Sequence, residues 1–211
     1  YPWTTHRSIS HNLQDFVKAN DIIKFTSVSN KKIYLSFVDD ENSCNYIHVL
    51  SANISNIEET LDVTFESFFK TDTCIPDSIN INKHAAGGKI FARDDYILLS
   101  VGDFLQFHSQ SQHIDSQFGK ILKINSTTTI ISMGNRNPQG IYPIDENLFL
   151  ESEHGPRGGD EINILDIRKT GENQNFGWPL VSYGKHYNGS EIPSKHAPSF
   201  IPPIAYIPSS F

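Results

Sequence analysis

The amino-acid sequence predicts an all-β protein. Helical periodicity is nearly absent, and short apolar or alternating runs separated by turns dominate the chain. The order of strands and turns also repeats along the chain, which indicates one structural unit used several times. Charged residues at 19% and a mean hydropathy of −0.36 are typical of a soluble, ordered protein. A chain of 211 residues suits one domain, or part of a larger one, with a substantial core.

The predicted strands fall into three rounds. The first round comprises the runs 21–29, 32–38, 46–53 and 61–69. The second comprises 88–93, 96–103, 119–125 and 127–133. The third comprises 140–144, 147–153 and 160–167, and its fourth strand is unclear because the sequence that follows is rich in turns.

Repeats of about 40–50 residues, each a four-stranded antiparallel meander, are typical of a β-propeller. We predict blades at approximately 21–70, 84–133 and 140–195. An all-β sandwich with regular hairpins is the alternative. Propellers usually have about 4–8 blades, and PPIAYIPSSF resembles the opening of a further blade. We therefore expect residues 1–211 to form a single, incomplete propeller domain of about three to four blades.

Composition excludes some functions. A net charge of −7 and a pI of about 5.7 argue against nucleic acid as a partner. No apolar run approaches the length of a membrane span, and YPWTTHRSIS has no apolar core typical of a signal peptide. Cys44 and Cys74 form one disulfide in an oxidising compartment or stay reduced in a cytosol, and the sequence leaves both open.

The stretch from Ser132 to Asn163 concentrates polar side chains among glycines, which is typical of loops that hold a ligand. Its polar members are Arg136, Asn137, Gln139, Glu153, His154, Asp160 and Glu161. Within it, EHGPRGGDE supplies carboxylates, and it supplies the carbonyls of Gly155 and Pro156. Ca²⁺ takes 6–8 oxygen ligands of these kinds. A calcium site is therefore one interpretation, and an unoccupied acidic loop is the other.

A histidine and an aspartate in the second round are candidate catalytic residues. His84 precedes the strand GKIFAR, and Asp103 ends the neighbouring strand. Because a meander places these two ends on the same rim, we expect them to pair as a general base and the carboxylate that orients it. A solvated loop histidine is the alternative. His48 has no partner pattern, and His108 faces a cleft or the surface. Zinc-ligand spacing, GxSxG and GxGxxG are absent from the sequence.

Several motifs together resemble one family. HAAGGK, the strand-end GD, GKILKIN, GNRNPQG, EHGPRGGDEIN and NFGWPLVSYGKHY occur in the order seen in the glucose/sorbosone dehydrogenase family. The resemblance covers roughly 84–210. It implies a six-bladed propeller that uses pyrroloquinoline quinone (PQQ). The family's cofactor-clamping Lys and Arg residues lie in later blades, beyond Phe211.

The resemblance implies roles for five residues near the reacting groups. His84 looks like the base that takes the anomeric hydroxyl proton, although one more residue than usual separates it from the Gly-Gly pair. Asp103 resembles its carboxylate partner. Arg136 looks like the residue that polarises the quinone carbonyl. Asn137 and Gln139 resemble cofactor contacts.

The resemblance implies two calcium sites as well. The carbonyls of Gly155 and Pro156 match those that hold the calcium next to PQQ. Asp160 and Glu161 match acidic positions near a second, structural calcium.

The resemblance thus implies a PQQ- and Ca²⁺-dependent dehydrogenase that oxidises aldose sugars at the anomeric carbon by hydride transfer to the quinone. We expect an external electron acceptor, a periplasmic or secreted location and a homodimer. The alternative is a non-catalytic binding propeller that resembles the ectodomain of hedgehog-interacting protein. A six-bladed calcium lactonase or esterase is a third. We expect residues 1–211 alone to associate and to be inactive, because a partial ring leaves strand edges and blade faces open.

Overall fold

The structure, a computed structural model, describes residues 9–19, 21–56 and 62–208. Leu61, which begins a predicted strand, and the last three residues of PPIAYIPSSF lie outside the described residues. Strands dominate, and the helical segments that the structure describes are short 3₁₀ turns. In order, the strands are β1 (Ser10–His11), β2 (Ile22–Ser29), β3 (Lys32–Glu41), β4 (Cys44–Asn53), β5 (Asp62–Val63), β6 (Phe65–Lys70), β7 (Ile75–Pro76), β8 (Gly87–Ala92), β9 (Ile97–Val101), β10 (Lys120–Ile124), β11 (Thr128–Met133), β12 (Pro138–Pro143), β13 (Leu148–Glu153), β14 (Asp160–Asp166) and β15 (Ala205–Ile207).

The strands form three antiparallel meanders, which confirms the predicted fold class. The first sheet has the order β2-β3-β4-β6, and β7 pairs with the other end of β4. The second sheet has the order β8-β9-β10-β11, and the third has the order β12-β13-β14-β15. β1 and β5 form a separate parallel pair. The predicted strands in all three rounds match these elements to within a few residues.

The outer strand of the third sheet differs from the prediction. Ala205–Ile207 pairs antiparallel with Asp160–Ile162, so PPIAYIPSSF contributes to the third sheet and does not open another blade. The third sheet therefore extends past the predicted boundary at 195. The sequence did not show this because the strand is three residues long, and a long turn-rich segment separates it from its partner. The assignment of 1–211 to one incomplete domain stays a prediction.

Apolar residues from neighbouring sheets form the cores. Between the first and second sheets the core includes Val38, Ile47, Val49, Ile90, Leu99 and Leu122. Between the second and third it includes Leu98, Ile121, Ile131, Ile141, Phe149 and Leu165. The far face of the first sheet buries Leu35, Phe37, Leu50 and Phe65 beneath Leu13, Phe16 and Val17. One sheet contributes to two cores because successive side chains along a strand point to opposite faces of the sheet.

The first strands of the three sheets lie side by side, since β8 contacts both β2 and β12. Buried hydroxyls join the sheets: Ser36 Oγ donates to the Gly88 carbonyl at 2.5 Å, and Ser100 Oγ donates to the Pro138 carbonyl at 2.7 Å. These bonds fix the relative positions of the strand ends, and the loops at those ends line the cleft described below.

Cys44 and Cys74 form a disulfide, with Cα atoms 5.1 Å apart. The bond ties β4 to the residue before β7 and answers the question that the sequence left open. In the part of the chain that the structure describes, no helix has the length and apolar character needed to cross a membrane.

Candidate functional site

A cleft of about 730 Å³ lies at the start of the first strand of the first sheet and at the loops that precede the first strands of the second and third sheets. Seven predicted site residues line it: His84, Arg136, Asn137, Gln139, Gly155, Pro156 and Asp160. Lys24 of the first sheet and Tyr187 also line it. The cleft thus gathers groups from all three sheets, although these groups are far apart in sequence.

Arg136 is the most constrained of these residues. Its loop turns at Gly134, whose φ of 70° is in the left-handed region that glycine adopts without strain. The Arg136 side chain is 4% exposed. Its Nη1 donates to the carbonyls of His154, at 2.9 Å, and Gly155, at 2.5 Å, and its Nη2 donates to the Tyr187 hydroxyl at 2.9 Å. The guanidinium therefore links the GNRNPQG loop to the EHGPRGGDE loop.

Glu153 holds the same loop from beneath. Its Oε2 accepts a 2.5 Å hydrogen bond from the backbone N–H of Arg136. The N–H of Asn137 also bonds to this carboxylate. Burial raises the pKa of Glu153 to about 7, while the bonds from Arg136 and Asn137 oppose the rise. Glu153, considered from the sequence as a calcium oxygen, here acts on the loop backbone.

His84 lies in a 3₁₀ turn, Lys83–Ala85, at the mouth of the cleft. The Asn82 side chain caps the turn by accepting from the His84 N–H at 2.9 Å. The His84 carbonyl accepts from Lys24 Nζ at 3.0 Å and from Gln139 Nε2 at 3.1 Å. The backbone of His84 is therefore fixed from two sides, and its imidazole is exposed to the cleft.

The predicted pairing of His84 with Asp103 is wrong. The Asp103 carboxylate is fully buried, and its Oδ2 accepts from His108 Nδ1 at 2.5 Å and from Trp178 Nε1 at 2.8 Å. The chain turns sharply after Asp103, with positive φ at Phe104, and folds the following loop back over the strand end. The carboxylate consequently points inward, although the two strand ends lie near each other as expected.

Asp160 and Glu161 have different surroundings. They are consecutive on β14, so their side chains point to opposite faces. Asp160 Oδ1 accepts from the Gly155 N–H at 2.9 Å and faces the cleft. Glu161 is buried opposite Glu153 in the strand register. In the described ranges, no cluster of three or more His, Cys, Asp or Glu side chains is arranged to hold a metal ion.

Three buried glutamates lie together on one face of the third sheet. Glu151 and Glu153 point to the same face of β13, and Glu161 lies directly across from Glu153. Burial, together with the charge of Glu153, raises the pKa of Glu151 well above its ordinary value, and burial raises that of Glu161 to about 8. Glu151 Oε2 accepts from Asn163 Nδ2 at 2.9 Å. This cluster binds protons more tightly than free carboxylates do.

Comparison with known proteins identifies the family. The family model described as Glucose / Sorbosone dehydrogenase matches residues 22–211. The chain belongs to this family. The resemblance inferred from the motifs is therefore confirmed, and the match includes the first sheet, where the motifs were weakest.

Among curated proteins, the family members that match include the aldose sugar dehydrogenase YliI of Escherichia coli (strain K12). It is 33% identical over 133 residues, which cover 54% of this chain and 34% of that protein. Quinoprotein glucose dehydrogenase B of Acinetobacter calcoaceticus is 30% identical over 138 residues, which cover 50% of this chain and 28% of that protein. The chain thus spans about a third or less of the length of these relatives.

Among solved structures, the chain is similar to the PQQ-bound form of aldose sugar dehydrogenase from Streptomyces coelicolor. The TM-score is 0.56 at 22% identity, and the match covers 84% of this chain and 49% of that one. This similarity supports the fold of the family member described here.

Sequence analysis missed three residues of the site. Lys24, in the first sheet, reaches the cleft through contacts with the His84 turn, and burial lowers its pKa. Tyr187 bonds to Arg136 from a turn-rich segment, and His108 is the partner of Asp103. For His108 a signal existed, since it lies five residues after Asp103 in a loop that was considered able to face a cleft. The sequence holds no comparable signal for the other two.

We predict that the carboxylate cluster makes the free energy of unfolding depend on pH. A folded-state pKa raised above the unfolded value stabilises the fold at low pH, and that contribution is lost as pH rises through the folded pKa. The contribution of these carboxylates to stability should therefore fall between about pH 5 and pH 8. Replacing Glu151 with Gln should flatten this slope by up to about 1.4 kcal/mol per pH unit.

Urea unfolding at several pH values measures this effect in metal-free protein. Glu146, which is exposed in the turn between β12 and β13, supplies the matched control Glu146→Gln. Equal slopes in the wild-type protein and in Glu151→Gln would remove Glu151 from the explanation, whatever the contributions of Glu153 and Glu161.

Proposed function

We propose that this chain is part of a PQQ-dependent dehydrogenase that oxidises aldose sugars at the anomeric carbon. The observation that carries the proposal is the cleft, because one surface collects His84, Arg136, Asn137, Gln139 and Gly155. A base, a buried cation and amide groups on one surface match the needs of an oxidation in which a hydroxyl loses a proton and a quinone gains negative charge.

The names of the relatives support the sugar and the cofactor. An aldose sugar dehydrogenase and a quinoprotein glucose dehydrogenase are among the curated proteins that match. These proteins are much longer than the matched segment, so the activity belongs to the complete protein. An external electron acceptor and a homodimer remain part of the proposal.

The residues present fit PQQ, which is a planar quinone carrying carboxylates. Arg136 is nearly buried, and its Nε, which is itself buried, has no hydrogen-bond partner among the described residues. Lys24 adds a second cation, and the amides of Asn137 and Gln139 line the same cleft. Cations and amide donors are the groups that bind carboxylate and carbonyl oxygens.

When bound, PQQ would supply the hydride acceptor, and the protein would supply orientation, proton transfer and electrostatics. The imidazole of His84 would accept the proton of the sugar hydroxyl. Lys24 and Gln139 hold the backbone of His84 in place by bonding to its carbonyl. Arg136 would stabilise negative charge, because its guanidinium is fixed before the reaction and needs no reorganisation. The Asp103–His108 pair would act on the loop that follows β9 and not on His84.

The EHGPRGGDE loop also fits calcium. The Gly155 and His154 carbonyls already converge on a cation, the guanidinium of Arg136, and the Asp160 carboxylate faces the same cleft. Carbonyl and carboxylate oxygens are the ligands that Ca²⁺ prefers. We propose that Gly155, Pro156 and Asp160 contribute to a calcium site beside the cofactor, and that Glu161, buried away from it, serves a separate structural ion.

A non-catalytic propeller that binds a protein partner is the second candidate. It receives less support, because such a module has no need for a buried arginine beside an exposed histidine, and the curated relatives named above are dehydrogenases. The Cys44–Cys74 disulfide supports a periplasmic or secreted location, since disulfides persist in oxidising compartments.

We predict that His84→Ala in the full-length protein lowers the rate of sugar oxidation by about 10²–10⁴-fold, the usual cost of losing a general base. PQQ affinity should stay nearly unchanged, because the cations that would hold the cofactor remain. Steady-state kinetics and PQQ titration measure the two effects. His113→Ala, at an exposed histidine, is the control. Wild-type rates in His84→Ala would exclude this residue as the base.

We predict that chelation of calcium weakens PQQ binding and lowers the melting temperature, because a ligand that binds the folded state stabilises it. Metal analysis, PQQ titration and thermal unfolding provide three readouts besides activity. Asp160→Asn should lower the calcium content next to PQQ. PQQ-loaded protein that contains no calcium would refute the site.

A further inference from the structure

Asp39, His48 and Ser67 form a chain of hydrogen bonds in the first sheet, away from the cleft. His48 Nδ1 lies 2.9 Å from Asp39 Oδ2, and His48 Nε2 lies 2.8 Å from Ser67 Oγ. A carboxylate only accepts hydrogen bonds, so Nδ1 carries the proton and Nε2 presents a lone pair. The Ser67 hydroxyl therefore donates to His48. This is the order of nucleophile, base and orienting acid that activates a serine.

A β-bulge brings Ser67 into this chain. β4 and β6 pair Val49 with Phe69 and Leu50 with Ser67, which leaves Phe68 as an extra residue. In an unbroken register Ser67 would lie opposite Ser51 and point to the other face of the sheet. With the bulge, Ser67 lies on the face that carries His48. Bulges re-aim side chains in this way and occur often beside active sites.

Burial divides the three groups into a protected pair and an accessible nucleophile. Asp39 is 5% and His48 is 6% exposed, whereas Ser67 is exposed to solvent. The His48 ring stacks on Phe37 at 5.0 Å and meets the edge of Phe16 at 6.5 Å. Burial lowers the pKa of His48, against the opposing effect of Asp39, so the imidazole is neutral at pH 7 and able to accept a proton.

We propose that Ser67 is an activated nucleophile and that the first sheet carries an acyl-transfer activity toward small, uncharged carboxylic esters. The substrate class follows from the surroundings. Ser67 lies on an edge strand, and the imidazole to which it bonds lies against the rings of Phe37 and Phe16 on the same face of the sheet. An exposed strand with an aromatic neighbour admits a small apolar acyl group. The activity is independent of the dehydrogenase proposed for the cleft.

The chemical step balances without a cofactor. Ser67 Oγ forms a bond to the ester carbonyl carbon, and its proton passes to His48 Nε2. The bond from that carbon to the alkoxy oxygen breaks, and the departing alcohol takes the proton from His48. Water then attacks the acyl-serine with the same base, which releases a carboxylic acid and restores Ser67.

Lys70, the cation beside the cluster, is paired with carboxylates and is not directed at Ser67. Lys70 Nζ lies 3.3 Å from Asp39 Oδ2 and also pairs with Glu41, so its charge is directed to carboxylates. We therefore expect slow turnover, and covalent modification of Ser67 as the clearest sign of the activity.

The experiment treats the purified full-length protein with a fluorophosphonate probe and, separately, with p-nitrophenyl acetate. Peptide mass spectrometry locates the adduct. We expect modification at Ser67 that Ser67→Ala abolishes and that His48→Gln slows by about 10²–10⁴-fold. Ser29→Ala is the matched control, because the Ser29 hydroxyl bonds to the Asp94 carboxylate at 2.9 Å without an imidazole. Sugar oxidation should be unchanged in Ser67→Ala.

The pH profile of labelling provides a second test that needs no variant at His48. The charged groups around the imidazole are Asp39, Lys70 and Glu41. Labelling of wild-type protein should fall as pH decreases through the pKa of His48, which burial lowers from the ordinary histidine value, because a protonated imidazole accepts no proton. An unmodified Ser67, labelling that His48→Gln leaves unchanged, or labelling that does not fall toward acidic pH would overturn the proposal. A purely structural chain of hydrogen bonds would give the first of these results.

Discussion

The link that the Arg136 guanidinium makes between two loops is the constraint on which the cleft depends. One loop follows the second sheet and the other lies inside the third, and the guanidinium reinforces the backbone bond from the His154 N–H to the Asn137 carbonyl at 3.2 Å. Nη1 bonds to the His154 and Gly155 carbonyls, while Glu153 holds the Arg136 backbone from the opposite side. A buried arginine that uses several donors in a fixed fork loses less entropy per bond than a lysine would. The geometry of the cleft is thus set before any ligand arrives.

In the third sheet, the carboxylate that bonds to the Arg136 loop is buried beside two other carboxylates. Glu153 must be close to Arg136, yet Glu151 and Glu161 lie near it and all three are buried. Burying like charges is costly, and raised pKa values are the result. A cation bound near these carboxylates would offset that cost. The same residues therefore connect the stability of the third sheet with the proposed use of calcium.

The strands and the cleft were predictable, because both follow from local patterns. Alternation in the run 61–69 and the apolar character of runs such as 96–103 identified the strands, and the density of glycine and polar residues in 132–163 identified the loops at their ends. Partners across the fold were less predictable. Asp103 was assigned to His84 from the rim that they share, but a turn at Phe104 directs its carboxylate to His108 and Trp178.

The pairing register between strands explains the other contacts that the sequence does not predict. Nothing in the sequence shows that Phe68 is a bulge, so His48 had no visible partner, although Ser67 lies 2.8 Å from it. β15 also escaped notice, because its three residues pair with a strand that lies far earlier in the chain. In each case a contact between distant segments decides the structure, and a single sequence records only the residues that take part.

Titration of the full-length protein with PQQ tests the account of the cleft most directly. The affinity of the wild-type protein would be compared with that of Arg136→Leu and Arg136→Lys, after circular dichroism has shown that the variants fold. Arg157→Leu, an exposed arginine in the neighbouring loop, is the control. Loss of a hydrogen-bonded charge costs about 1.5–3 kcal/mol, so Arg136→Leu should bind PQQ about 10- to 150-fold more weakly. Arg136→Leu that binds PQQ as tightly as the wild-type protein would contradict the account.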